Sequence, residues 1–439
     1  MKTVSLCIFL ACTYLATVPL SAQNWPNWRG PAADGRAADS ATPPVQWSET
    51  ENVKWKVRIP GRGNSTPVIW GDRLFLLSAE PVDKEAATDR SFLPEGAIPV
   101  QRGGGMSRSQ ASPHRFLVLC LDANTGKTLW QKTAREGMPA EGTHGHNTFA
   151  SGSPVTDGRR VVAHFGSQGT YCYDLDGQLL WEKDLGEMTM RGTFGEGLTP
   201  ALHGDRVIVP WDHEGQSFLA CLHADTGAVL WKVDREEGTC WSAPIVVGRE
   251  GGSTVVVNGH YTAGYDLADG TLKWWTGGHT QRPVTSPVYG DGVVYAASGF
   301  RGSLLLAIPL EPGEKDVTEK RLFTRESATP DVPSLLLSEG RLYMTQGNTG
   351  IITCLDAKTG EPYYERERLE GVREIYASPM AAGGHVYWVG RNGTTSVIKD
   401  APRLETVSVN ELDQEIDGSP VAVGKRLYLR GKTHLYCIE

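Results

Sequence analysis

Two histidines one residue apart, His144 and His146, and the run Asp212-His213-Glu214 are the groupings best suited to hold a divalent metal. His260 offers a further imidazole. Imidazole and carboxylate together suit zinc and its neighbours. Their spacings match no local ligand motif, so a metal site requires the fold to bring separate loops together. A second set is polar and aromatic: Asn147, Glu196, Trp241, Arg282, Arg301, Asn348, Arg391 and Asp417, with Asn64 and Glu374 beside them. Converging on one opening, these side chains would hold a polar ligand or a peptide segment. Spread over a wet surface, they would only satisfy one another. No Gly-x-Ser-x-Gly elbow, His-Glu-x-x-His, phosphate loop or Cys-x-x-Cys occurs, so no catalytic residue is assigned.

The elements that must position these groups come from a repeat. Units begin at Ser65 (STPV), Ser153, Thr199, Ser242, Ser286, Val332, Ser378 and Ser419, and their prolines from Pro154 onward recur every 41 to 46 residues. That period is the length of a four-stranded propeller blade. Each unit runs through a Gly-containing hairpin such as Asp157-Gly158 or Asp291-Gly292, where positive φ is needed. It ends in an Asp-x-x-Thr-Gly turn and a strand closing on Trp130, Trp181, Trp231 or Trp274, with Tyr363 and Tyr364 in the sixth unit. An aromatic ring at one fixed offset in successive repeats is expected to dock blade on blade. Asp122 and Gly126 of the first such turn belong to the same structural set.

The eighth unit stops after its third strand, whereas Asn52–Ile59 is an alternating strand without a blade. The expected fold is all-β: an eight-bladed propeller of four-stranded antiparallel blades, closed by this N-terminal strand with Trp55 at the tryptophan position. Closure removes two exposed sheet edges. Strand parity puts the short hairpins on one face. The variable D–A and B–C loops, which carry the polar set, lie on the other, making that face the candidate site. Residues 80–114 form a long insertion in blade one, of the kind that serves as a lid or a solvated flap.

Residues 1–22 read as a secretory signal: Lys2, an apolar run from Val4 to Val18, and Ser21-Ala22 before the cut. The apolar run is too short to span a bilayer as a helix. Residues 23–51 are an N-terminal extension and 52–439 the propeller. The expected location is periplasmic or secreted, and lipid anchoring at Cys12 fits poorly after Phe9-Leu10. A net charge of −8 argues against nucleic acid. Five of the six remaining cysteines share one repeat position, too far apart to bridge. A monomer without disulfides is expected.

The segment Cys120–Trp130 (CLDANTGKTLW) resembles the tryptophan-docking motif of quinoprotein dehydrogenases, matching it at Asp122, Gly126, Lys127 and Trp130. Looser copies stand at His223–Trp231 and Leu355–Tyr364, and Asn24–Gly35 (NWPNWRGPAADG) resembles the opening of many exported members of that group. The chain therefore resembles the pyrroloquinoline-quinone-like propeller superfamily. The resemblance implies either a quinone-dependent dehydrogenase, with pyrroloquinoline quinone (PQQ) and calcium, or a non-catalytic scaffold of the BamB type. The adjacent cysteine pair of the dehydrogenases is missing, since Cys240 beside Trp241 stands alone. The leading expectation is a cofactor-free scaffold for an envelope or secreted protein or peptide. A PQQ-dependent oxidoreductase is the alternative, and carbohydrate binding a further one.

Overall fold

A computed structural model describes residues 24–82, 112–249, 252–311 and 313–439. The signal segment and most of the blade-one insertion lie outside those residues. The described chain forms eight four-stranded antiparallel sheets arranged as a propeller. Blade one comprises Val68–Trp70, Arg73–Pro81, His114–Asp122 and Thr128–Gly137. In the last blade, Val421–Val423, Arg426–Arg430 and His434–Ile438 take Val53–Arg58 as their outer strand. That strand pairs antiparallel, Trp55 facing Cys437 and Arg58 facing His434, and an ion pair joins Lys54 to Glu439.

The repeated residues explain why the blades stack. In the C–D turn of blade one, Asp122 Oδ1 accepts the N–H groups of Asn124 (3.0 Å) and Thr125 (2.8 Å) and the Thr125 hydroxyl (2.9 Å). Gly126 follows at φ 72°. A Cβ there would sit 2.8 Å from the Trp55 ring of the preceding blade. Gly177, Gly227 and Gly270 are pressed in the same way by Trp130, Trp181 and Trp231. Each of those indoles donates to the carbonyl just after the next blade's third strand: Trp55 to Ala123 (3.3 Å), Trp130 to Leu175 (2.9 Å), Trp181 to Ala224 (2.8 Å) and Trp231 to Leu267 (3.0 Å). The series stops at blade four, and the seams beyond it differ. Blade five has Phe323 over Gly360, and the bond is made instead by Tyr295 Oη to the Ala357 carbonyl (2.7 Å). Trp274 is buried but its indole N–H has no partner. Its cross-strand neighbour is Gly264, where other blades carry cysteine, and a Cβ at Gly264 would fall 2.4 Å from the ring. The six described cysteines are buried and free.

The hydroxyl residue that opens each innermost strand has its own task. Thr66 N–H donates to Ser153 Oγ (2.9 Å) and Ser153 N–H to Thr199 Oγ1 (3.0 Å). The series resumes with Ala243 to Ser286, Ser286 to Ser334, Ser334 to Ser378, Ser378 to Ser419 and Ser419 back to Thr66. A belt of hydroxyls thus encircles the channel, each blade holding the next. The following proline keeps the residue before it extended. In blade six, Ser334 takes the belt position and Leu335 the proline's place, so Pro333 sits two residues ahead of the usual register. The one break is at Ala243, which has no hydroxyl to receive Thr199. Ala243→Ser is expected to complete the belt and stabilise the protein by about 1 kcal/mol, read as a higher denaturation midpoint. An unchanged or lower midpoint would show that the gap is already satisfied.

The extension before the ring is part of the fold. Trp25 bridges to Ile69 of blade one and Pro26 accepts from Thr156 of blade two. Arg29, 2% exposed, reaches the Pro379 and Leu335 carbonyls (2.6 Å each) of blades seven and six. Residues from Ala37 onward leave along blades seven and eight, where Trp47 stacks on Tyr387 at 6.4 Å. The segment crosses the channel on the hairpin side.

Candidate functional site

The opposite side of the channel is a funnel of about 1160 Å³, open to solvent at the loop face. Trp28 of the crossing segment is on its floor, and the belt residues Thr66, Ser153, Thr199, Ser286, Ser378 and Ser419 ring its base. Above them stand Asn64, His144, His146, Asn147, Phe194, Trp241, Arg282, Asp331, Asn348, Tyr376 and Asp417. A second space of about 910 Å³ lies behind the segment, lined by Pro26–Ala33 and blades two to four.

Of the polar set named from sequence, Asn147, Trp241, Arg282, Asn348 and Asp417 line this funnel. Asn147 is a strut: its Nδ2 donates to the carbonyls of Phe194 (2.9 Å) and Glu196 (3.0 Å), and its Oδ1 receives Ser151 Oγ. Trp241 Nε1 ties to the Gly195 carbonyl at 2.8 Å. Arg391 is the centre of a charged knot, with Nε 2.7 Å from Asp417 and Nη1 3.2 Å from Glu374, and its guanidinium 4.5 Å over the Tyr376 ring. Tyr376 Oη meets His146 Nδ1 at 2.8 Å. Arg282 lies over aromatic rings instead, 3.4 Å from the Phe300 centroid and 5.1 Å from that of Phe194. Arg301 is exposed at the rim, 5.2 Å from the Phe300 centroid.

Glu196 faces elsewhere. Its carboxyl turns inward, away from the funnel, to a smaller cavity shared with Phe116, Glu141, His164 and Gln168. There it accepts the Ser167 N–H (2.7 Å) and hydroxyl (2.5 Å). Burial pushes its pKa up to about 7 against these bonds, helped by Glu141 and Glu187. The folded protein thus holds this proton more tightly than the unfolded chain. Between the ordinary carboxylate range and about pH 7, stability from this group is present at the acid end and falls as pH rises. Glu196→Gln is expected to flatten that fall in a pH series of denaturation midpoints. A variant whose profile parallels the parent would remove Glu196 as the cause.

The residues proposed as metal ligands are only partly brought together. His144 and His146 meet with ring centroids 5.1 Å apart. Burial lowers both pKa values, and Arg391 lowers them further. Asp212 is buried against Arg235, at 2.8 and 3.1 Å. His213 accepts the Thr189 N–H at Nδ1 (3.0 Å), which leaves its proton on Nε2 beside the Gln216 carbonyl (3.2 Å). Glu214 accepts the Thr239 hydroxyl (2.8 Å), and His260 stacks edge-on to Tyr261. Loop order in sequence cannot show that Arg235 or Thr239 arrives first. Among the described residues no group of three or more His, Cys, Asp or Glu is placed to hold a metal ion.

Of the two funnel carboxylates, Asp417 is paired with Arg391, and Asp331 accepts from Asn348 Nδ2. Cys240 is a buried thiol between the Asn258 and Pro283 carbonyls (3.1 Å each), its pKa raised by burial.

What sequence reasoning missed is the floor and one wall. The crossing segment has no repeat to reveal it, although two tryptophans and an arginine within five residues (Trp25, Trp28, Arg29) are rich for a solvated extension. Asp331 and Phe194 stand in loops that gave no signal.

Comparison with known proteins places this geometry. BamB of Yersinia pestis is 26% identical over 311 residues, covering 64% of this chain and 70% of that one. A polyvinylalcohol dehydrogenase of a Sphingopyxis species is 26% identical over 281 residues, 50% of this chain and 42% of that enzyme. The crystal structure of BamB from Moraxella catarrhalis shares the fold, with TM-score 0.58, 16% identity, and coverage of 88% of this chain and 96% of that one. The family model for the outer membrane protein assembly factor BamB matches residues 114–366. With more than half of its length inside that match, the chain belongs to the family of the outer membrane protein assembly factor BamB.

Proposed function

We propose that this chain is an exported envelope scaffold that binds a segment of another protein in its funnel. The observation that carries the reading is the funnel itself: aromatic walls and fixed polar struts around an opening on the loop face. Such a lining suits recognition, in which apolar surface gives affinity and a few placed polar groups give orientation. The BamB relatives support an envelope role in assembly. Among the described residues no helix is long and apolar enough to cross a membrane.

The test is photocrosslinking in the source envelope, with a benzoylphenylalanine placed at Phe194 in the funnel or at Lys358 on the exposed hairpin face. A discrete protein adduct is expected from Phe194 and none from Lys358. Adducts from both positions alike, or from neither, would overturn the reading.

The match to polyvinylalcohol dehydrogenase favours a second reading, a quinone-dependent oxidoreductase. Calorimetric titration with PQQ, with and without calcium, separates the two. Stoichiometric heat would support the enzyme, and absence of heat would leave the scaffold.

A further inference from the structure

Arg282 stands apart from Arg391, the paired arginine at the funnel mouth. It is half-buried, yet it makes no hydrogen bond or ion pair with any described residue, and its Nε is buried without a partner. Its contacts are the faces of Phe300, Phe194 and Trp241. Its nearest charges are Asp331, of opposite sign, and two further cations, Arg191 and Arg301. Arg391, by contrast, is matched by Asp417 and Glu374. Asp331 has the complementary deficit: Oδ2 receives Asn348 Nδ2 at 3.1 Å, but Oδ1 is buried and unpaired. Arg282 and Arg301 also hold positive φ, 46° and 52°, a conformation that costs non-glycine residues energy and collects at binding sites.

A donor short of an anion and an acceptor short of an N–H, lining one funnel, ask for a ligand that carries both groups close together. A C-terminal residue carries a carboxylate and an amide N–H within one residue, so a chain end fits better than a continuous strand. Resting on the reading that the funnel binds a protein segment, we infer that it receives the C-terminal end of the partner. The terminal carboxylate lies on Arg282, an amide N–H of the same end on Asp331, and an apolar last side chain among Phe194, Trp241 and Tyr376.

The test exposes the immobilised full chain to pools of acetylated pentapeptides randomised at every position, made as free acids and as C-terminal amides. Retained peptides are read by mass spectrometry. Free acids are expected to be retained at least tenfold over amides, with apolar final residues enriched. Arg282→Gln is expected to remove the preference while the melting profile stays that of the parent. Equal retention of acids and amides, retention of neither, or selection of internal aspartate or glutamate in the amide pool would overturn the inference. The acid–amide comparison on the unaltered chain stands even if the variant does not fold. Crosslinks from Phe194 alongside a failed peptide pool would leave the scaffold reading intact and remove only this one.

Discussion

Arg29→Ala is expected to destabilise the protein by about 4 kcal/mol and to release the segment that crosses the channel. The guanidinium is fully buried and has no carboxylate of its own. It is solvated by the Pro379, Leu335 and Asp34 carbonyls, and burial lowers its pKa to about 10. Truncation leaves three inward-facing carbonyls without a donor, at roughly 1–3 kcal/mol each, offset in part because a buried cation no longer has to be desolvated. The arginine also reaches three places at once: its own loop, blade six and blade seven. Its loss should therefore appear as protease cleavage between residues 24 and 47 before the ring melts. Gly35→Ala is a second route to the same outcome, because a Cβ there would stand 2.2 Å from Arg29 Nη2. A variant with the parent's midpoint and an uncut N-terminus would show that the segment is held by Trp25 and Trp47 instead.

Trp55→Ala is expected to cost about 4 kcal/mol, in the range for emptying a buried tryptophan site, and to loosen one seam selectively. Trp55 is 9% exposed, covers Gly126 of blade one and shares the Ala123 carbonyl with Tyr428 Oη (3.1 Å). Trp181→Ala should cost a comparable amount, but its strand is continuous with its own blade. Hydrogen exchange distinguishes them. The Trp55 variant should exchange fastest in Val53–Arg58 and His434–Ile438, and the Trp181 variant should show no such focus. Uniform exchange in both would mean that the closing strand is no weaker than any other.

The ring was legible because its physics repeats. The C–D turn must cap itself and leave room for an indole, so variants of Asp-x-x-Thr-Gly return in five blades, each keeping its glycine, and reveal the period. The closing strand was legible by subtraction, as one unit lacked an outer strand and one strand lacked a blade. The site was less legible, because its partners come from different blades and obey no period. Nothing in the local sequence of Asp212 points to Arg235, and nothing near Glu196 says that its carboxyl turns away from the funnel towards Ser167. Trp274 shows the same limit within the repeat. It occupies the docking position, yet Gly264 opposite it lets the ring lie differently and leaves its N–H unpaired.

The closing strand also sets an order of events for a chain made from one end. Lys54 and Glu439, paired across the final blade, are 385 residues apart in sequence. Until residues 434–438 have been synthesised, Val53–Arg58 has no strand to join. Until blades six and seven exist, Arg29 has no carbonyls to reach. A growing chain can therefore stack blades but cannot finish the ring. A chain stopped before residue 434 leaves the two ends of the ring unjoined, so the closed circle forms only when both terminal segments are present.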